Sequence, residues 1–234
     1  MDQHLESCRK DAHTRRALVD FILVSQCLCL RMDFAWTGIW ACGIFCCMSA
    51  LAATYRFSID DYQRLYETGL LAAHDRIELL NGELIIMHAI GFRHAQAVTN
   101  LTFELGDQAR RRYMISPQNP VELEEHSAPQ PDLTLVPLSR RSSKRHPTPD
   151  EVFLIIEVSD SSVRYDREDK QKAYAKTGIR EFWLLNLEDD ILEIYRQPEG
   201  ETYREKIIIP ADGKASPLEF PDVVIAMADI LPPR

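Results

Sequence analysis

From Val152 to Ile156 the chain is an unbroken apolar run, VFLII, and the next residue is Glu157. Such a run predicts a strand buried on both faces. A carboxylate at its end needs a reason, because an unpaired buried charge is expensive. A polar turn follows, then a charged stretch carrying Lys170 and Lys172, then a second apolar strand, Phe182–Leu185. The charged stretch predicts a helix starting near Asp166. Upstream, Ser58 precedes IDDYQRLYETG. Ser58 suits an N-cap, Asp60 and Asp61 suit the first turn, and Gly69 suits a stop. Ile59, Tyr62, Leu65 and Tyr66 fall on one face of that helix.

Asn81-Gly82 between two apolar runs is a strong hairpin signal, pairing Arg76–Leu80 with Glu83–His88. Glu78 stands in the first of these strands. Taken alone it reads as a solvent-facing residue, and it is kept as a candidate for the site. Phe92 to Arg112 predicts a long helix, with Ala95, Val98, Leu101, Leu105 and Ala109 near one stripe. Arg110, Arg111 and Arg112 suit the negative helix end or a phosphate backbone. His94, near its start, reads as a local hydrogen-bonding residue. VELEE at Val121–Glu125 alternates as a half-exposed strand, and PQPDLTLVPL gives a strand opened by Asp132. Ser139 to Asp150 is the most basic window, either a solvated loop or a flap over a nucleic-acid groove. REKIIIP and LEFPDVVIAMADIL read as further strands.

Composition changes the picture at one end. All six cysteines precede Met48, in crowded spacings that do not suit zinc. Phe34 to Tyr55 carries no charge and is long enough for a bilayer crossing of roughly 20 residues. Residues 1–47 are therefore expected to be an apolar, Cys-rich leader. It reads as the product of a start placed upstream of Met48, as a membrane anchor through 34–55, or as a cleaved signal. Residues 48–234 are the expected working domain, in the cytoplasm unless the anchor holds. The net charge of -9 argues against passive, charge-driven binding of nucleic acid. It leaves room for a nuclease whose acidic site holds cations.

Asp132 opens one apolar strand and Glu157 ends another. If those strands are antiparallel neighbours, about 4.8 Å apart, both carboxylates lie at one edge and can share a cation. Carboxylate oxygens with the Val158 carbonyl and waters suit Mg²⁺. Lys170 can reach that edge to orient an attacking water and offset transition-state charge. Lys172 lies about 200° round an α-helix from it.

PDLTLV, LIIEVSDSS, the D-x-x-x-K-x-x-x-Y spacing of Asp166, Lys170 and Tyr174, and TGIREFWLLN together resemble the Uma family of restriction endonucleases, in the PD-(D/E)xK nuclease superfamily. YRFSIDDYQRL, RIELLNGELIIM and IGFRHAQAV extend the likeness from Ala53 to the C-terminus. The resemblance implies an α/β fold with a restriction-endonuclease-like core: a mixed central sheet flanked by helices, an N-terminal hairpin and C-terminal strands. It implies metal-dependent hydrolysis of phosphodiester bonds in DNA, with Mg²⁺ or Mn²⁺ as cofactor. It carries catalytic roles onto Glu78, Asp132, Glu157 and Lys170, the three acids being metal ligands. One departure stands out. Two residues after Glu157 is Ser159, not lysine, and Lys170 on the following helix takes that role. The alternative is a catalytically inactive module of the same fold that binds nucleic acid or a protein partner. Cutting both strands with one site per chain would call for a homodimer.

Overall fold

The computed structural model describes residues 54–72, 74–87 and 89–234. The leader at 1–47, its cysteines and nearly all of the 34–55 segment lie outside the described residues. Among the described residues no helix is long and apolar enough to cross a membrane.

Helix α1, Ile59–Glu67, starts where its cap does: Ser58 Oγ accepts from the Asp61 amide at 3.1 Å, and the Asp61 carboxylate takes the Ser58 amide at 3.0 Å. This reciprocal arrangement satisfies two otherwise orphaned donors. Strands β1 (Ile77–Leu80) and β2 (Glu83–Ile86) form the expected hairpin. Asn81 and Gly82 both have positive φ, 52° and 79°, as a type I′ turn requires. Gly82 is needed twice over, since a Cβ there would meet Arg56 Cβ at 2.5 Å. Tyr62 ties α1 to the hairpin by donating to the Ile77 carbonyl at 2.6 Å.

Helix α2, Phe92–Ala109, buries Ala97, Leu101 and Leu105 on one stripe. It ends before the expected Arg112, because Arg110 and Arg111 turn left-handed. Arg112 still reaches back to the Gln108 carbonyl at 3.1 Å, and it also pairs with Asp222 at 2.7 Å. The arginine triplet thus divides between the helix end and a surface ion pair.

Six strands make the central sheet: β3 (Tyr113–Pro117), β4 (Leu133–Pro137), β5 (Leu154–Ser159), β6 (Glu181–Asn186), β7 (Ile191–Glu199) and β8 (Thr202–Ile209), in that spatial order. β5 and β6 are parallel and every other neighbouring pair is antiparallel. A parallel pair needs a crossover. Helix α3 supplies it as one helical run, Val163–Tyr165, Asp166–Lys170 and Gln171–Lys176, the middle part wound as a π-helix. Alternate residues of β5 feed two cores. Leu154, Ile156 and Val158 pack with Leu101 and Leu105 of α2, and Ile155 packs with Ala173 and Tyr174 of α3. The mixed α/β sheet flanked by helices, with its N-terminal hairpin, is the expected fold class.

Four expectations need correcting. VELEE forms no strand. Val121 and Leu123 are buried in alternation, but their amides go to Pro129 and Ser127 carbonyls across a tight turn, with Pro120 and Pro129 at its flanks. β5 begins two residues later than expected, because Val152 closes the 3₁₀ turn Pro149–Glu151, so Glu157 lies within the strand and not at its end. Helix α3 begins at Val163 and not near Asp166. In the C-terminal stretch only Lys214–Ala215 and Ile225–Ala226 pair, as β9 and β10, and Met227–Ile230 is a short helix, α4. Pro217 and Pro221 interrupt the run there and keep it from extending as a ladder.

Candidate active site

The antiparallel register sets Leu133 opposite Ile156, which brings Asp132 beside Glu157 at one edge of the sheet. Asp132 Oδ2 accepts the Val158 amide at 2.9 Å and sits 3.0 Å from His94 Nε2. Asp132 Oδ1 has a long contact with Gln118 Nε2, at 3.4 Å. Glu157 Oε1 accepts from Lys170 Nζ at 3.0 Å and from the Tyr174 hydroxyl at 2.6 Å. Both bonds fall on Oε1.

Glu78, expected to face solvent when read alone, is fully buried. Its Oε2 accepts the Gln130 amide at 2.9 Å and pairs with Lys170 Nζ at 3.3 Å, and its Oε1 accepts from Tyr165 at 3.0 Å. The hairpin is therefore latched to the site from outside the main sheet, helped by the Ala128 amide donating to the Leu79 carbonyl at 2.8 Å. Asp166 is a further buried acid, bonded by Ser159 at 2.6 Å and Ser162 at 2.7 Å, with Lys170 Nζ 3.8 Å away. Ser159, two residues after Glu157, thus holds Asp166.

All four residues expected to act, Glu78, Asp132, Glu157 and Lys170, line one cavity of about 710 Å³. Lys170 is 2% exposed, whereas Lys172, two residues on, is exposed. Sequence reasoning did not place His94 or Tyr165 in the site, and it used Asp166 and Tyr174 only as a spacing. That Asp-Lys-Tyr spacing was a usable signal: three polar groups one turn apart share a helix face. His94 gave no such signal.

Of the four buried carboxylates, Glu78, Glu157 and Asp166 lie 3.3, 3.0 and 3.8 Å from Lys170 Nζ and Asp132 stands beside Glu157; Lys170 is the buried cation among the described residues. Burial pushes the Glu157 carboxyl well above its ordinary value; Lys170 opposes this, and Asp166, Asp132 and Glu78 add to it. Burial alone would lower the Lys170 ammonium, but Glu157, Glu78 and Asp166 outweigh it and hold that group well above its ordinary value, charged. Burial, with Glu157 and Glu78 nearby, raises the Tyr174 hydroxyl, which stays a donor. Among the described residues no group of three or more His, Cys, Asp and Glu side chains is arranged to hold a metal ion.

The basic loop is not a loose flap. Arg140 and Arg145 both pair with Glu151, at 2.8 and 2.9 Å. With His146 they border a separate pocket of about 150 Å³ beside Met114 and Ser116.

The family described as "Uma2: Putative restriction endonuclease" matches residues 59–228. Among solved structures the chain is similar to the crystal structure of "a putative nuclease belonging to DUF820" from Anabaena variabilis. The two are 14% identical, the match covers 74% of this chain and 97% of that one, and the TM-score is 0.59. At that identity the likeness speaks for a shared fold. No curated protein matches.

Proposed function

The chain belongs to the Uma2 family, and on that footing we propose that it is a metal-dependent endonuclease hydrolysing phosphodiester bonds in DNA. The observation that carries this reading is the convergence of Asp132 from β4, Glu157 from β5 and Lys170 from α3 on the wall of one cavity.

The donor set fits a hard divalent cation. Four buried carboxylates against one ammonium leave surplus negative charge that a cation would offset. Mg²⁺ is commonly held by only one or two carboxylates and keeps several waters, so Asp132 and Glu157 suffice without a three-residue cage. Mn²⁺ would take the same ligands. Glu78 would join them through oxygens that already accept from Tyr165 and the Gln130 amide. Its stronger role is to hold Lys170. When bound, the cation would supply Lewis-acid polarisation of the phosphodiester.

The chain's own groups do the rest. Lys170 and Tyr174 fix Glu157 through Oε1. The Val158 amide fixes Asp132 through Oδ2. Lys170 keeps its charge beside the acids, where it counters negative charge growing on the phosphate as water attacks. Burial of these groups in a walled cavity strengthens each interaction relative to bulk water. A cytoplasmic setting, and pairing of two chains to cut both strands, belong to the same proposal.

The test is cleavage of supercoiled plasmid by the full chain with Mg²⁺ or Mn²⁺, beside Asp132→Asn and Glu157→Gln. Nicking by the parent, reduced about 10²-fold or more in each variant, is expected. Variants that cut at the parent rate would remove the site from where it is placed here. Binding without cleavage by the parent would favour the inactive module.

A further inference from the structure

His94 lies in the first turn of α2 and lines the catalytic cavity. Its Nε2 is 3.0 Å from Asp132 Oδ2, while its Nδ1 is buried with no hydrogen-bond partner among the described residues. A ring nitrogen bonded to a carboxylate oxygen must carry the hydrogen, since a carboxylate only accepts. A hydrogen on Nδ1 would be a buried donor with nothing to receive it, which costs about 1–3 kcal/mol. The nitrogen that faces Asp132, Nε2, therefore carries a hydrogen.

We propose that His94 is a positioning residue for Asp132, holding the carboxylate in place. Two donors then converge on Oδ2, His94 Nε2 from α2 and the Val158 amide from β5 at 2.9 Å. Oδ1 is left with the weak 3.4 Å contact to Gln118. One oxygen is anchored and the other is presented. A carboxylate fixed in this way binds a cation with less loss of side-chain freedom, as outer partners of metal ligands do elsewhere. The inference rests on the reading of Asp132 as a cation ligand.

The test uses the full chain with His94→Ala, His94→Gln and Asp132→Asn. Mn²⁺ binding is followed by the paramagnetic resonance of the free ion, and the His94 ring by nitrogen NMR without metal. His94→Ala is expected to weaken Mn²⁺ about tenfold or more. His94→Gln, whose amide can donate to the same oxygen, should recover most of that. In plasmid cleavage the Mn²⁺ needed for half-maximal rate should rise by the same factor, with the rate at saturating Mn²⁺ largely regained. A merely structural histidine would not produce that split. NMR should show a hydrogen on Nε2, and its absence from that nitrogen overturns the proposal even if His94→Ala does not fold. If Asp132→Asn loses Mn²⁺ but His94→Ala keeps it, the role of His94 falls alone. If Asp132→Asn itself keeps Mn²⁺, the metal reading falls and takes this inference with it.

Discussion

Glu157 on β5 and Glu181 on β6 stand on paired strands of one sheet, both withdrawn from water, and their surroundings are opposites. Glu181 is completely answered. Its Oε1 takes Arg196 at 2.7 and 2.9 Å and the Trp183 ring at 2.9 Å, and its Oε2 takes the Leu218 amide at 2.6 Å. On β7, Glu193 is answered as fully, by Arg167 at 2.5 Å, Lys206 at 2.8 Å and the Tyr195 hydroxyl. Glu157 shares one lysine with two other acids and borders a cavity. Balanced buried charge fastens a fold, and the unbalanced buried charge beside the cavity is where the proposal places a cation. Burial raises the carboxyl in both settings. At Glu193 Arg167 and Lys206 overturn that and bring it below its ordinary value, while Glu157 stays above.

The largest way to break this comparison is Arg196→Met. It keeps the apolar stem but strands Glu181 without its cation. Breaking a buried pair from one side costs about 3–5 kcal/mol. Urea unfolding should show a loss of that order. A loss under about 1 kcal/mol would mean that the Trp183 and Leu218 donors suffice, and the balanced centre would not depend on its cation.

Glu157→Gln should do the reverse. The amide is close to isosteric and can still accept from Tyr174, while one of the crowded negative charges disappears. Cleavage should fall about 10²-fold or more, equivalent to about 2.7 kcal/mol at 1.36 kcal/mol per decade, with unfolding stability unchanged or raised. A variant as destabilised as Arg196→Met would place Glu157 among the fastening charges instead.

The sequence carried the acids and lysine of the cavity better than the balanced centres. Asp132, Glu157 and Lys170 could be read because each sits at a marked point: a Pro-Asp strand entry, a carboxylate after an apolar run, and a lysine one turn from an aspartate and a tyrosine. Glu78 could be read only through the hairpin resemblance, since taken alone it reads as solvent-facing. What buries it is the Gln130 segment, far along the chain. Glu181 and Glu193 left no trace, because their partners Arg196, Arg167 and Lys206 are set by cross-strand and helix–sheet register. Elements failed for local reasons. VELEE has a strand's alternation but closes on itself at Ser127, and the turn Thr148–Glu151 delays β5. The π-helical winding from Asp166 to Lys170 has no visible signal in side-chain pattern.

The two centres should also split by pH in metal-free buffer. Glu193 has a folded-state value below the ordinary 4.5, so its contribution is present above 4.5 and is lost as pH falls through the folded value. Glu157 has a raised value, so its contribution is present below 4.5 and is lost as pH rises through the folded value. Stability measured by urea unfolding across pH should lose part of its acid-side slope in Glu193→Gln and part of its alkaline-side slope in Glu157→Gln. Identical profiles for the two variants would dissolve the distinction between the centres.

The smallest expected effect sharpens the comparison within one helix. Lys170 and Lys172 are two residues apart on α3, one at 2% exposure between Glu157 and Glu78, the other in solvent. Lys172→Ala removes a solvated charge and puts the best helix former in its place, a change worth a few tenths of a kcal/mol. Stability should stay within about 0.5 kcal/mol of the parent, and the cleavage rate should not move, because no reacting group touches that side chain. Lys170→Ala leaves Glu157, Glu78 and Asp166 facing one another without a cation, so both stability and cleavage should fall. If Lys172→Ala slowed cleavage as much as Lys170→Ala, the charge that matters would lie outside the cavity, on the surface where DNA approaches, and the buried lysine would join Arg196 as a fastening group.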